Sequence, residues 1–359
     1  MNRKSQNAAF IVFFITSILI ITPFVSAVTR RTHLINYILA NQDQNNRFGT
    51  SYEETSYALE ILNDCSMLGS VNTESLQSYL QNEIQEKFET STMDVYNLYY
   101  LLKSLDFLIS TGDLVNNSLK SIILDYLDGT NQTTGGFSPT NSSNTSGLVS
   151  TYFAIKAYNL IDSNQNISNI HKNWTLNCRN SGDGGYGGNA SLPSSLISTY
   201  YAILILNNLD AINEITNVTD TVSYLTSFYI DQVNDQTNYG GYLIDNDAKF
   251  AILSSTYYCI KSLNILSPSE LHKGATCSWV YSRQNIKDGG FVDKNDEIDQ
   301  VYSSIPSSYF AFKTITLLGG NLDVQIWMVE FNWILLVVIL LCIGVFIAIA
   351  IFFWRRNRL

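Results

Sequence analysis

The sequence predicts an all-α repeat protein built from six pairs of helices, and three observations carry that prediction. A double glycine followed by an aromatic ring occurs four times, as Gly135-Gly136-Phe137, Gly184-Gly185-Tyr186, Gly240-Gly241-Tyr242 and Gly289-Gly290-Phe291, at spacings of 49, 56 and 49 residues. A near-copy of one phrase follows each pair: Ser150-Thr151-Tyr152-Phe153-Ala154, Ser198-Thr199-Tyr200-Tyr201-Ala202, Ser255-Thr256-Tyr257-Tyr258-Cys259 and Ser307-Ser308-Tyr309-Phe310-Ala311. Two kinds of apolar stretch alternate around these signatures. Repeats of about 20 to 50 residues mark a unit that cannot bury its own apolar face and stacks on its neighbours.

In chain order the series reads as outer 29–41, inner 52–64, outer 72–88, inner 93–109, outer 113–127, inner 147–161, outer 167–179, inner 194–208, outer 219–232, inner 251–265, outer 268–284 and inner 304–318. The 72–88 stretch sets Leu76, Leu80, Ile84 and Phe88 on one stripe and Glu74, Gln77, Gln81 and Gln85 elsewhere, which is a helix with one buried face. The 196–209 stretch is apolar almost all round, as in a helix packed on several sides. Ser267-Pro268-Ser269-Glu270 reads as a capping box with proline in the first turn, opening the last outer helix. Each glycine pair follows an outer stretch, where glycine ends a helix and turns the chain. A phosphate cradle would need a Gly-x-x-x-x-Gly-Lys run, which is absent. A kelch propeller also has glycine pairs at such a period, but the long apolar stretches fit helices better than four short strands.

The flanks predict where the chain resides. Residues 1–27 hold Arg3 and Lys4, an apolar run from Ala8 to Ile21 and the small-residue ending Val25-Ser26-Ala27, the pattern of a cleaved secretory signal. Residues 333–354 are apolar and uncharged, long enough to cross a hydrocarbon core of roughly 30 Å, with Trp333 and Trp354 at the interfaces. Arg355, Arg356 and Arg358 in the 355–359 tail hold that end inside, so residues 28–320 face outward on a 321–332 tether, giving a single-pass type I protein of the cell membrane. Eight sequons agree, at Asn116, Asn131, Asn141, Asn144, Asn166, Asn173, Asn189 and Asn217. Without the signal and tail cations, 16 Lys and Arg face 31 Asp and Glu, a formal charge near −15 that argues against nucleic acid as a partner. Cys65, Cys178, Cys259 and Cys277 allow three disulfide pairings, which the sequence does not rank.

The phrases Cys178-Arg179-Asn180-Ser181-Gly182-Asp183-Gly184-Gly185-Tyr186-Gly187-Gly188 and Arg283-Gln284-Asn285-Ile286-Lys287-Asp288-Gly289-Gly290-Phe291 resemble the repeat shared by protein prenyltransferase β subunits and the squalene and oxidosqualene cyclases. The resemblance covers about residues 30–318 and implies an (α/α)6 toroid, six inner and six outer helices around an aromatic-lined cavity, here followed by a transmembrane helix. Zinc-dependent prenyltransferases take an Asp-x-Cys pair from the start of the fifth inner helix and a histidine from the start of the sixth. Aligned repeats place Ser255, Tyr257 and Ser307 there, and none is a zinc ligand, so neither zinc nor another cofactor is expected. His33, His171 and His272 fall on outer elements, and the cyclase Asp-x-Asp-Asp acid is absent. The acidic loop from Asp293 to Asp299 lacks the turn glycine and closing glutamate of a calcium loop and reads as solvated.

The aromatics Tyr57, Tyr152, Phe153, Tyr200, Tyr201, Tyr257, Tyr258, Tyr309 and Phe310 recur at equivalent inner-helix places and are the candidate ligand-binding residues, one ring of each pair facing the cavity. The leading expectation is a catalytically degenerate toroid that binds a lipid-like or isoprenoid ligand or a surface protein. An active prenyltransferase or cyclase with unrecognised acids is the alternative, disfavoured by the lack of clustered Lys and Arg at inner-helix starts. A structural or adhesive role is the third, with 28–115 and 218–330 forming one sequon-free sector if the ring closes.

Overall fold

The computed structural model describes residues 24–109, 114–162, 169–293 and 302–330, together with 341 and 344. Two compact units emerge, residues 31–322 and the flanking segments 1–30 and 323–359. In the flanking unit, β1 (Phe24–Thr29) pairs antiparallel with β2 (Gln325–Glu330), setting Ala27 opposite Trp327 and Val28 opposite Ile326. The expected cleavage site after Ala27 thus falls within β1. The remainder of the expected signal and nearly all of the 333–354 span lie outside the described residues. Among the described residues no helix is long and apolar enough to cross a membrane.

The larger unit alternates outer and inner helices. The outer ones are α1 (Arg30–Ala40), α3 (Thr73–Glu89), α5 (Asn117–Thr130), α7 (Asn169–Asn177), α9 (Val218–Thr226) and α11 (Lys273–Ser282). The inner ones are α2 (Tyr52–Asp64), α4 (Val95–Leu108), α6 (Leu148–Ile161), α8 (Leu196–Asn208), α10 (Leu253–Leu266) and α12 (Ile305–Leu318). Each inner helix packs on the next, and α12 packs on α2, so the inner ring closes. All six inner helices start within two residues of their expected positions. Their starts are well specified: Ser51 and Glu54 form a capping box at α2, and Asp94, Ser195 and Ser304 cap α4, α8 and α12.

Three outer elements differ from expectation. The helix α5 is displaced toward the C-terminus from the expected 113–127. Pro268–Glu270 forms a separate 3₁₀ turn without a side-chain cap, and α11 begins only at Lys273, so the expected capping box does not form. The fifth outer helix stops at Thr226, several residues early, because Tyr229 leaves it to bridge Tyr242 across the following loop.

The two halves of the sequence signature meet through one repeated hydrogen bond. The backbone N–H of the aromatic after each glycine pair donates to a hydroxyl near the start of the next inner helix: Phe137 to Thr151 at 2.9 Å, Tyr186 to Thr199 at 2.9 Å, Tyr242 to Thr256 at 3.1 Å and Phe291 to Ser308 at 2.9 Å. Phe48 makes the same bond to Thr55 at 3.2 Å, which exposes a fifth, degenerate copy in the first repeat, where Asn46 takes a φ of 61°. The aromatic ring is buried at all five places, and such a ring contributes roughly 1.5–3 kcal/mol.

The glycines lie where the loop touches the next outer helix. Gly135 adopts φ 106°, and a Cβ there would stand 2.5 Å from the carbonyl oxygen of Ile170 on α7. Gly289, at φ 91°, meets the carbonyl of His33 on α1 in the same way, so the last repeat joins the first by the contact used between neighbours. None of the three disulfide pairings open to the four cysteines outside the expected membrane span forms.

Candidate functional site

The inner helices present one register to the axis. Their fifth and sixth residues are Ser56 and Tyr57, Tyr99 and Tyr100, Tyr152 and Phe153, Tyr200 and Tyr201, Tyr257 and Tyr258, and Tyr309 and Phe310. One helical turn further on, the ninth residues are Glu60, Lys103, Lys156, Leu204, Lys261 and Lys313. The bore therefore has two layers, one aromatic and one charged.

All nine aromatics predicted from the sequence line the bore, and both rings of each pair do so rather than one. Tyr99 and Tyr100 line it as well and were missed, because their helix lacks the Ser-Thr start. Their register, four and three residues before Lys103, is the signal that marks them. The rings of neighbouring inner helices meet around the axis. Tyr57 stacks on Tyr309 at 3.8 Å between centroids, Tyr200 on Tyr258 at 4.5 Å, and Tyr99, Tyr100, Phe153 and Tyr201 interlock at tilted angles. The space left among them is about 50 Å³. Pockets that bury a small molecule run to roughly 300–1,000 Å³. Burial pushes the phenols of Tyr57, Tyr99, Tyr100, Tyr200, Tyr201 and Tyr309 well above the usual tyrosine range, so they stay protonated. Glu53 accepts from the hydroxyls of Tyr57 (2.8 Å) and Tyr100 (2.9 Å).

The charged layer encloses more room, about 320 Å³, lined by Glu60, Lys103, Lys156, Lys261 and Lys313 with Asn159 and the edges of Tyr99, Tyr152, Tyr200, Tyr257 and Tyr309. Clustered cations are thus present, at the third turn of the inner helices and not at their starts. Lys313 reaches across the closure to Glu60 at 2.8 Å and Asp64 at 3.1 Å, and Lys103 pairs with Asp106 at 3.0 Å. Lys156 and Lys261 form no ion pair among the described residues. Burial, and then the charge of Lys103, draws Lys156 below the usual lysine range; burial and Lys313 do the same to Lys261.

The positions equivalent to the zinc ligands do not fit a metal. Ser255 Oγ donates to the carbonyls of Tyr242 and Ile252, Tyr257 lines the aromatic layer, and Ser307 Oγ donates to Asp293 at 3.0 Å. Asp293 also accepts from the Leu253 N–H at 2.7 Å, so a hydrogen-bonded carboxylate ties together the starts of α10 and α12. No group of three His, Cys, Asp or Glu side chains suited to a metal ion occurs among the described residues. His33 and His171 brace the outer wall through the carbonyls of Ile286 and Gly135, and His272 stacks on Tyr229.

The sequence matches the family model for the prenyltransferase alpha-alpha toroid domain over residues 70–173, 141–251 and 242–335. The chain belongs to that family. Among solved structures, the toroid is similar to Candida albicans protein geranylgeranyltransferase-I complexed with GGPP, at 17% identity and a TM-score of 0.62, covering 86% of this chain and 96% of that one. It is also similar to the type II terpene cyclase MstE from Scytonema in its apo form, at 11% identity and a TM-score of 0.50, over 81% of this chain and 97% of that one. Identities this low establish the shared fold alone. None of the curated proteins matches the sequence.

Proposed function

We propose that this toroid binds a ligand without transforming it, displayed on the outer face of a membrane by a C-terminal anchor. One observation carries the loss of catalysis: the aromatic rings occupy the bore themselves, leaving about 50 Å³ where a substrate chain would lie. The hydrogen bonds of Ser255 and Ser307 support it, since both side chains are committed to holding helix starts. The display rests on the apolar 333–354 run, the arginines after it, and sequon asparagines of which Asn116, Asn131, Asn141, Asn144, Asn173 and Asn217 are exposed.

A second reading, isoprenoid binding in the bore, draws on the GGPP carried by the similar geranylgeranyltransferase. It requires several stacked rings to swing aside together. The absence of catalysis is tested in one assay, in which purified protein is incubated with geranylgeranyl diphosphate, zinc and a thiol acceptor peptide. The binding reading expects neither prenylated peptide nor released diphosphate. Turnover that disappears on substituting bore tyrosines would overturn it.

A further inference from the structure

The ring of ninth residues leaves an electrostatic debt that the rest of the fold does not settle. Four lysines and one glutamate line the 320 Å³ space, giving a formal excess of three positive charges at its surface. The surrounding carboxylates are Glu60, Asp64 and Asp106. They are engaged by Lys313 and Lys103. Lys156 and Lys261 stand on α6 and α10, separated by α8, whose ninth residue is the uncharged Leu204. Both ammonium groups are half-buried and unpaired among the described residues, an arrangement that costs free energy until an anion arrives. Tyrosine hydroxyls and Asn159 add neutral donors on the same wall.

We propose that this charged end of the bore binds a small multivalent phosphate compound, held by Lys156 and Lys261, with Lys103 and Lys313 lining the same space. Lysine suits the role as a compact, hydrated point charge on a flexible stem, and two of them, one on each side of α8, match an anion bearing more than one charge. The aromatic layer next to the lysines holds only about 50 Å³, so the ligand is a free phosphate and not the head of a chain threaded through the bore. The site lies at the third turn of the inner helices, away from the Ser255 and Ser307 end. It was concealed in a chain of net charge −10 because successive lysines are 53, 105 and 52 residues apart and converge only through the repeat.

This inference rests on the reading of the toroid as a binding module, and the two can fail separately. Full-length protein in an uncharged detergent is titrated with inorganic diphosphate by calorimetry, at low and at moderate salt. The expected result is one-to-one binding that weakens with salt and falls at least about tenfold in the Lys156→Met/Lys261→Met double variant, the loss that follows from removing charge-assisted hydrogen bonds. The Lys156→Arg/Lys261→Arg variant should restore binding, and the exposed Lys287→Met should leave it unchanged. Thermal melting controls for folding: the methionine variant is expected to melt no lower than the wild type, because it removes two unpaired charges. No binding by the wild type, or equal binding by a folded methionine variant, would overturn the site. Slow breakdown of the diphosphate during the titration would overturn the non-catalytic reading and leave the site standing.

Discussion

At the scale of single residues, the clearest feature is polar atoms that the fold buries without using. The rings of Tyr186 and Tyr242 are fully buried and their hydroxyls lack a partner among the described residues, whereas Phe48, Phe137 and Phe291 occupy the same place in other repeats. Tyr186→Phe is therefore expected to raise stability by about 1 kcal/mol in urea denaturation, since it removes an unsatisfied buried group without opening a cavity. The unpaired lysines make a second prediction with a definite sign. Burial lowers the folded value for Lys156 below its ordinary 10.5, so the unfolded chain holds that proton more tightly and the charge opposes folding at neutral pH. Lys156→Met should stabilise the protein at pH 7, and the increment should shrink as pH climbs toward 10.5, where the wild-type penalty disappears. The bore tyrosines act in the opposite direction over that range, so the quantity to measure is the difference between variant and wild type. An increment that grows with pH would contradict the assignment. The lysines themselves were visible in the sequence, but their juxtaposition was not, because it needs the register of six helices at once.

At the scale of elements, the joint between loop and outer helix decides the repeat. Gly289 sits at φ 91°, and an added Cβ would stand 2.3 Å from the His33 carbonyl. Gly289→Ala is expected to cost at least about 2 kcal/mol, combining left-handed strain with the displacement of α1. Gly274, in the first turn of α11, has open space where its Cβ would lie. Gly274→Ala should gain about 0.4–1 kcal/mol by restricting the unfolded chain. Chemical denaturation of the pair distinguishes a positional from a general effect of glycine. These joints were legible in advance because glycine pairs and Ser-Thr starts are local signals. The inner-helix boundaries came through well because apolar runs of about 14 residues dominate them. The outer boundaries at α9 and α11 did not, since a proline capping pattern and an apolar tail were outweighed by the loop pairing of Tyr229 and a separate 3₁₀ turn.

At the scale of the whole molecule, closure of the ring converts weak local repeats into one buried axis. Tyr309 stacks on Tyr57, Lys313 pairs with Glu60, and Gly289 meets His33, three contacts between residues more than 240 positions apart. The sequence announced an aromatic axis but not its occupancy, because a composition rich in tyrosine is compatible with rings that line a space and with rings that fill it. Packing distances decide for filling in the aromatic layer. The closure also brings the sequon-free first and last repeats together. The aromatic layer of the bore is thus filled by its own side chains, with about 50 Å³ left over. Native mass spectrometry of the protein purified from a secreting host tests this most directly. The expected mass carries no isoprenoid adduct, before and after incubation with geranylgeranyl diphosphate in the presence of competing inorganic diphosphate. A stoichiometric isoprenoid adduct that survives this competition and is lost on substituting Tyr57 and Tyr309 would contradict it.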